Sequence, residues 1–337
     1  MKQFQILLIL SLSIVLVSCN DSTSLKQVKL SGETQGTYYA VTYYNSDGEI
    51  YQTDIEALLK DFDMTASMWV ENSIISKINR NEQVLMNDDF RILFEMSKEV
   101  YKKSNEVFDP TVGPLVNAWG FGFTDRMKVD QHVVDSLLPL IGFEKVKLEN
   151  NTIIKEYPGI QFDFNAIAQG YSVDLVAKLL EEKGIENYLI DIGGEVLGKG
   201  SKPKNEPWKV GIEKPSDNAS YGQELKAIVI LNDKALATSG NYRKFYEEDG
   251  IRYSHTIDPK TGYPVQHSLL SVSVLANDCG RADAFATACM VSGLEKSKDL
   301  INTIPELEAY FIYSEKNGNL KTYFTQGFEK FIDEELD

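Results

Sequence analysis

Histidine and cysteine are scarce in this chain, and their placement excludes the chemistry they usually bring. The three histidines, His132, His255 and His267, are too dispersed for a zinc cluster. Of the three cysteines, only Cys279 and Cys289 fall in the body of a 337-residue chain, which is no disulfide framework. Both are expected to be buried free thiols. Positive charge is also short: 34 Lys and Arg stand against 50 Asp and Glu, a net charge of −16. Nucleic acid and anionic lipid repel such a surface, so an anionic ligand would have to be held by a metal ion or by backbone amides. Apolar runs are short. The most continuous, Phe4–Val17, falls below the length of a comfortable membrane span.

That run follows Lys2 and leads to Leu16-Val17-Ser18-Cys19, the shape of a signal peptide. Leu-Val-Ser-Cys is similar to a bacterial lipoprotein processing site. On this reading residues 1–18 are a leader, Cys19 is the lipidated first residue, residues 19–27 are a polar tether, and residues 28–337 form the domain. The protein would be lipid-anchored to a bacterial membrane with its body in the periplasm or extracytoplasmic space.

Within the body, Val28–Tyr44 has a strand pattern around Gly36, while Tyr51–Phe62 and Asp89–Lys103 carry apolar residues at helical spacing. Gln131–Leu138 reads as a short helix, and Lys145–Lys155 and Ile160–Phe164 as strands. Ile167 to Leu180 marks an amphipathic helix that ends near Gly184. The C-terminal half is mostly strands: Tyr188–Ile192, Trp208–Glu213, Leu225–Leu231, Ala235–Thr238, Ile251–Ile257, Leu269–Ala276 and Ala309–Tyr323, with turn signals at Glu248-Asp249-Gly250 and Lys316-Asn317-Gly318. Ala66–Ser73 and Glu106–Gly122 read as loops rich in aromatics. The expected fold is a mixed α/β, α+β-like single body with a mixed, largely antiparallel sheet flanked by helices.

Arg281–Gly293 is alanine-rich and free of internal glycine and proline, so it should be a helix with Gly293 as its stop. Asp283 and Thr287 are four residues apart and share a face. A carboxylate and a hydroxyl suit a hard cation such as Mg2+; an ordinary cap and a packed hydroxyl would use the same two residues. Thr238-Ser239-Gly240 offers hydroxyls and amides to phosphate, or is a plain turn. The strand feeding the helix near Ala166–Gly170 places unpaired amides where an anion could sit. Gly193–Gly200 approaches a phosphate-binding loop, but Gly200 stands where a Ser or Thr must hold magnesium, which rejects the motif. Rossmann and serine-hydrolase signatures are absent.

Several motifs in order resemble the ApbE-type flavin transferases: Phe108–Val116, Trp119–Gly122, Asp163–Asp174, Asp191–Glu195, Ala237–Arg243, His255–Gly262 and Ala282–Thr287. The resemblance covers essentially the whole mature chain. It implies Mg2+-dependent transfer of FMN from FAD, the substrate, to a threonine hydroxyl of an acceptor protein, with AMP leaving. It places the metal on the Ala166 carbonyl, Asp283 and Thr287, and the flavin nucleotide on Gln35, Trp69, Val107, Phe108, Asp109, Asp163, Gln169 and Ile257. His255 or Asp258 would orient or deprotonate the acceptor hydroxyl. Three positions depart from the commonest pattern: Gln35 where Met is usual, Trp69 where Tyr is common, and Gln169 where Lys is frequent. Acceptors would be redox subunits of membrane electron-transport complexes. An FAD pyrophosphatase giving FMN and AMP, and a periplasmic flavin-binding lipoprotein without turnover, are the alternatives.

Overall fold

The computed structural model describes residues 25–122, 127–215, 224–241, 245–248 and 251–336. The leader, Cys19, most of the tether, Tyr242, Arg243 and the Asp249-Gly250 turn lie outside the described residues. No helix among the described residues is long and apolar enough to cross a membrane.

An eight-stranded sheet organises the body. Its first hairpin, β1 (Lys26–Thr34) and β2 (Thr37–Asn45), splits the Val28–Tyr44 pattern at Gln35-Gly36. Both turn residues have positive φ, 53° and 73°, the geometry that matches a two-residue hairpin to strand twist. β2 pairs with β5 (Asn187–Ile192), after which come β6 (Glu195–Lys199), β9 (Lys234–Gly240), β12 (Leu269–Ala276), β13 (Glu308–Ser314) and β14 (Leu320–Phe324), every pair antiparallel. The expected long strand Ala309–Tyr323 is thus two strands, divided at the Lys316-Asn317-Gly318 turn. Smaller hairpins are β3 (Val146–Glu149) with β4 (Thr152–Lys155), and β10 (Phe245–Glu248) with β11 (Ile251–Ser254).

Helices cover one face of the large sheet. α1 (Gln52–Ala66) and α6 (Ala168–Glu182) bury Ile55, Leu59, Val173, Val176 and Leu180 against Tyr39, Val41, Ile190 and Ile192. α3 (Asp88–Lys103), α7 (Cys279–Ser292) and α8 (Leu294–Asn302) share the largest core with Ala237, Val272, Val274, Ala309 and Phe311. Period-two alternation sends the intervening residues, Leu236, Leu275, Tyr310 and Ile312, to the other face. There they meet Trp208, Ile212, Val229 and Leu231 of a three-stranded sheet, β7 (Trp208–Glu213), β8 (Leu225–Leu231) and β15 (Ile332–Glu335). The result is a mixed α/β body of three layers.

Two local readings change. Ile160–Phe164 is extended and buried but joins no ladder; Asn79, from the short helix α2 (Ile74–Asn79), takes the place of a strand by donating to Phe162 O at 2.9 Å and accepting from Phe162 N at 2.7 Å. The run expected to be loop around Gly113–Trp119 instead contains helix α4 (Gly113–Ala118), where Pro114 sits in the first turn and costs no helical hydrogen bond; the next helix, α5 (Gln131–Leu137), is the short one expected there.

Candidate active site

α7 is buried almost all round: Ala282, Ala284, Ala286, Ala288 and Cys289 are sealed in the core, and its small residues let neighbours approach closely. α6 crosses it at Gly170, where an added Cβ would lie 2.4 Å from Cys279 O and 2.8 Å from the Asp283 Cβ. Only glycine permits that approach. On the same α6, Asp174 accepts from the Cys279 and Gly280 amides at 2.7 and 2.9 Å, fixing the start of α7 alongside the Asp278 cap.

Asp283 is therefore a carboxylate inside a buried helix, 6% exposed. The Gly170 amide donates to its Oδ2 at 3.1 Å. In an uninterrupted helix that amide would go four residues back, to the carbonyl of Ala166. Burial pushes the Asp283 carboxyl up to about 7, against the lowering effect of the Gly170 amide. Glu195, at the start of β6, is similarly buried, and burial first and the Asp283 charge second push its carboxyl well above the usual range. Among the described residues neither carboxylate accepts from a lysine, arginine or histidine. Two buried acids without a cationic partner are costly unless protonated or neutralised by an ion.

Thr287 lies one turn along α7, its Oγ1 3.3 Å from Ser239 Oγ of β9. Strand alternation turns Thr238 the other way, to Ser273 Oγ at 2.7 Å. The segment is not a turn: it continues through Gly240 in the ladder with β12, and the expected hydroxyl pair contributes one hydroxyl to this site. Asp283, Thr287 and the Ala166 carbonyl are oxygen donors of the kind a hard divalent cation takes, and the uncompensated carboxylates fit such an ion.

Gln169 sits beside this group. Its Nε2 donates to Ile192 O at 3.0 Å and to Glu195 Oε2, and its backbone carbonyl accepts from Ser172 Oγ at 2.6 Å. Ser172 Oγ also lies 3.3 Å from Gln35 Oε1, which ties the hairpin tip to α6.

The remaining expected ligands form an adjoining wall. Phe108 and Val107 pack on the main core. Asp109 accepts from Thr111 N at 2.8 Å, Thr111 Oγ1 at 2.6 Å and Phe143 N at 3.2 Å, and burial raises its carboxyl to about 6. Asp163 accepts from Asn165 N at 2.8 Å, and burial likewise raises it to about 6. Both carboxylates thus shape their own loops. The two loops are joined by Asp163 N donating to Pro110 O at 2.7 Å and by the Val112–Gln161 bridge. Ile257 packs with Leu115, Trp119 and Ile141, while Trp119 Nε1 donates to Gly262 O at 2.9 Å. The His255 ring stands edge-on to Phe121, 6.4 Å between centroids. Asp258 Oδ1 accepts from Lys260 N at 2.8 Å, a turn-forming role. Trp69 is 67% exposed on the loop after α1.

The structure thus brings Gln35, Asp163, Ala166, Gln169, Asp283 and Thr287 onto the α6–α7 crossing and its entry. It groups Phe108, Asp109, His255 and Ile257 around the 108–122 segment. Glu195 and Ser172 were missed as site residues. Glu195's one signal was an acid directly after Gly193-Gly194, whose turn Asp191 organises by accepting from Gly194 N at 2.9 Å. A separate cavity of about 390 Å3, lined in part by Asp174, Lys178, Asp233 and Arg281, contains none of these site residues.

A three-layer body with a carboxylate–hydroxyl pair on its central helix and aromatic loops beside it has the architecture of a flavin transferase. The family model for the ApbE family matches residues 35–311. The chain is 35% identical to an FAD:protein FMN transferase of Haemophilus influenzae, covering 96% of each chain. It is 36% identical to the FAD:protein FMN transferase of Vibrio cholerae, covering 91% of this chain and 93% of that one. The solved flavin transferase ApbE of Vibrio cholerae superposes with a TM-score of 0.82 at 34% identity, over 91% of this chain and 99% of that one. The apo flavinyl transferase ApbE of Pseudomonas stutzeri gives 0.83 at 32% identity, over 93% and 98%. The chain belongs to the ApbE family.

Proposed function

We propose that the chain is an FAD:protein FMN transferase that moves FMN from FAD to a threonine hydroxyl of an acceptor protein. The observation that carries this reading is Asp283, a buried carboxylate with no cationic partner among the described residues, on one helix with Thr287 at the α6–α7 crossing, in a chain that aligns with such a transferase over 96% of its length. Asp283, Thr287 and the Ala166 carbonyl would hold Mg2+, which when bound neutralises charge on the pyrophosphate oxygens.

The chain's own residues do the rest. Trp69 offers an exposed aromatic face to a planar ring. Gln35, Phe108, Asp109, Asp163, Gln169 and Ile257 line the nucleotide's path, with Val107 behind them. The acceptor threonine Oγ attacks the FMN phosphorus, the bond from that phosphorus to the bridging oxygen breaks, and the oxygen departs with AMP. His255 takes the hydroxyl proton; Asp258, with one oxygen occupied by the Lys260 amide, holds the loop that carries His255.

Cys19 would be lipidated after removal of residues 1–18, so that residues 19–27 tether the domain 28–337 outside the cytoplasm, within reach of membrane redox subunits as acceptors. The test is AMP release from FAD with Mg2+, with and without an acceptor. AMP should require both the acceptor and the divalent ion, and should cease with EDTA and in His255→Ala. AMP formed equally without acceptor would mean a pyrophosphatase, and FAD bound without AMP would mean a binding protein.

A further inference from the structure

Glu195 has no role in the reaction as described so far. It is 9% exposed, it follows a turn whose Gly193 and Gly194 have φ of 63° and 107°, and its carboxylate meets the side chain of Gln169. The fit is close: a Cβ at Gly193 would lie 2.3 Å from Gln169 Nε2, so the turn is shaped around this carboxamide. A carboxamide nitrogen carries two hydrogens. Ile192 O and Glu195 Oε2 together take both, and the Ile192 carbonyl, which can only accept, fixes which end of the group is nitrogen. The Oε1 oxygen accepts no hydrogen bond among the described residues, and it is not among the buried polar atoms left without a partner. It is therefore open to a ligand.

We propose that Glu195 is a positioning residue that holds the donor end of Gln169 inward and presents Gln169 Oε1 to the substrate, so that position 169 receives a hydroxyl or N–H of FAD and not a phosphate oxygen. The proposal rests on FAD being the substrate. It follows from donor–acceptor matching: an oxygen with its amide hydrogens already spent repels a phosphate and pairs with a donor.

Two measurements test this. The first is solvent exchange of the Gln169 side-chain amide protons by NMR in ligand-free protein. They should be protected in the wild type, unprotected in Glu195→Ala, and protected again in Glu195→Gln, whose side-chain oxygen still accepts. The second is FAD binding with Mg2+ across a double-mutant cycle. Glu195→Ala should weaken FAD about tenfold, the size of one well-made hydrogen bond, with Glu195→Gln restoring most of it. In a Gln169→Ala background Glu195→Ala should add nothing. Equal losses in both backgrounds would show that Glu195 acts independently of Gln169 and overturn the proposal, as would freely exchanging amide protons in the wild type. Protected amides in a wild-type protein that binds no FAD would instead leave the Glu195–Gln169 lock standing and remove the functional reading.

Discussion

At the scale of single residues, the account turns on carboxylates kept where water cannot reach them. Asp283 lies among buried positions of its helix that are otherwise glycine, alanine, cysteine and larger apolar residues, and among the described residues an amide from Gly170 alone answers it. Asp109, also buried, is answered by two amides and a hydroxyl instead. Replacing Asp283 with Asn should reduce FMN transfer about a hundredfold or more, the effect of losing a charge that serves the reaction. Without divalent cation the variant should melt no lower than the wild type, because a buried unpaired charge has been removed. Activity assays and thermal melts in EDTA check both halves. Trp69 makes the opposite case: 67% exposed, it contributes little to packing. Trp69→Ala should change stability by less than about 0.5 kcal/mol while raising the KM for FAD.

How legible these residues were depended on the distance their geometry spans. Asp283 and Thr287 are related by one helical turn, so spacing alone put them on one face. Their meaning was not local, and the same pair could have been a cap and a packed hydroxyl. Glu195 escaped because its partners, Gln169 and Asp283, lie on α6 and α7, and no periodicity relates them. Asp109 and Asp163 were reached through resemblance to the family; their bonds to Thr111, Phe143 and Asn165 show that they also build the loops they sit on.

Among the elements, the α6–α7 crossing is the joint that positions the site. Gly170→Ala would drive a methyl into Cys279 O and the Asp283 Cβ, separate the helices, and should cost about 1–3 kcal/mol together with much of the activity. Asp174 clamps the start of α7 from α6, and burial raises its carboxyl to about 7 from an ordinary value of 3.8, outweighing the two amides that lower it. A group whose pKa is raised on folding contributes stability that is complete below its unfolded value and is lost as pH climbs through the folded one. Stability should therefore fall between about pH 4 and 7, where the buried carboxyl is forced to ionise. The melting temperature should fall from pH 5 to pH 8, and the fall should be smaller in Asp174→Asn.

Segment 160–164 shows why some elements could not be read. Its alternation of Ile160, Phe162 and Phe164 is that of a strand, and those side chains are buried as in one. The backbone bonds of Phe162 at its centre go to Asn79, a residue 83 positions away that no local pattern points to. Asn79→Ala should leave Phe162 N and O unpaired and cost about 1–3 kcal/mol, measured by denaturant unfolding. The hairpin tip at Gln35-Gly36 was hidden differently: Gln at positive φ is not a usual turn residue, so the strand pattern ran through it.

For the whole molecule, three layers place the helices, α6 and α7 among them, on one face of a sheet whose other face is closed by β7, β8 and β15. The fold class was within reach of the sequence, because alternating strands, amphipathic helices and turn signals agree with one another. Strand order was not, since β6 pairs with β9 and β9 with β12 across long intervening segments. The proposed lipid anchor rests on residues 1–19 alone, and on that proposal Cys19→Ser should release the protein from the membrane fraction.

The most direct measurement is intact-mass analysis of a threonine-containing acceptor peptide after incubation with the protein, FAD and Mg2+. The account predicts a mass gain of one FMN residue on the threonine, absent in Asp283→Asn and absent when the threonine is replaced by valine. An unmodified peptide alongside free FMN and AMP, or no change in FAD at all, would contradict it.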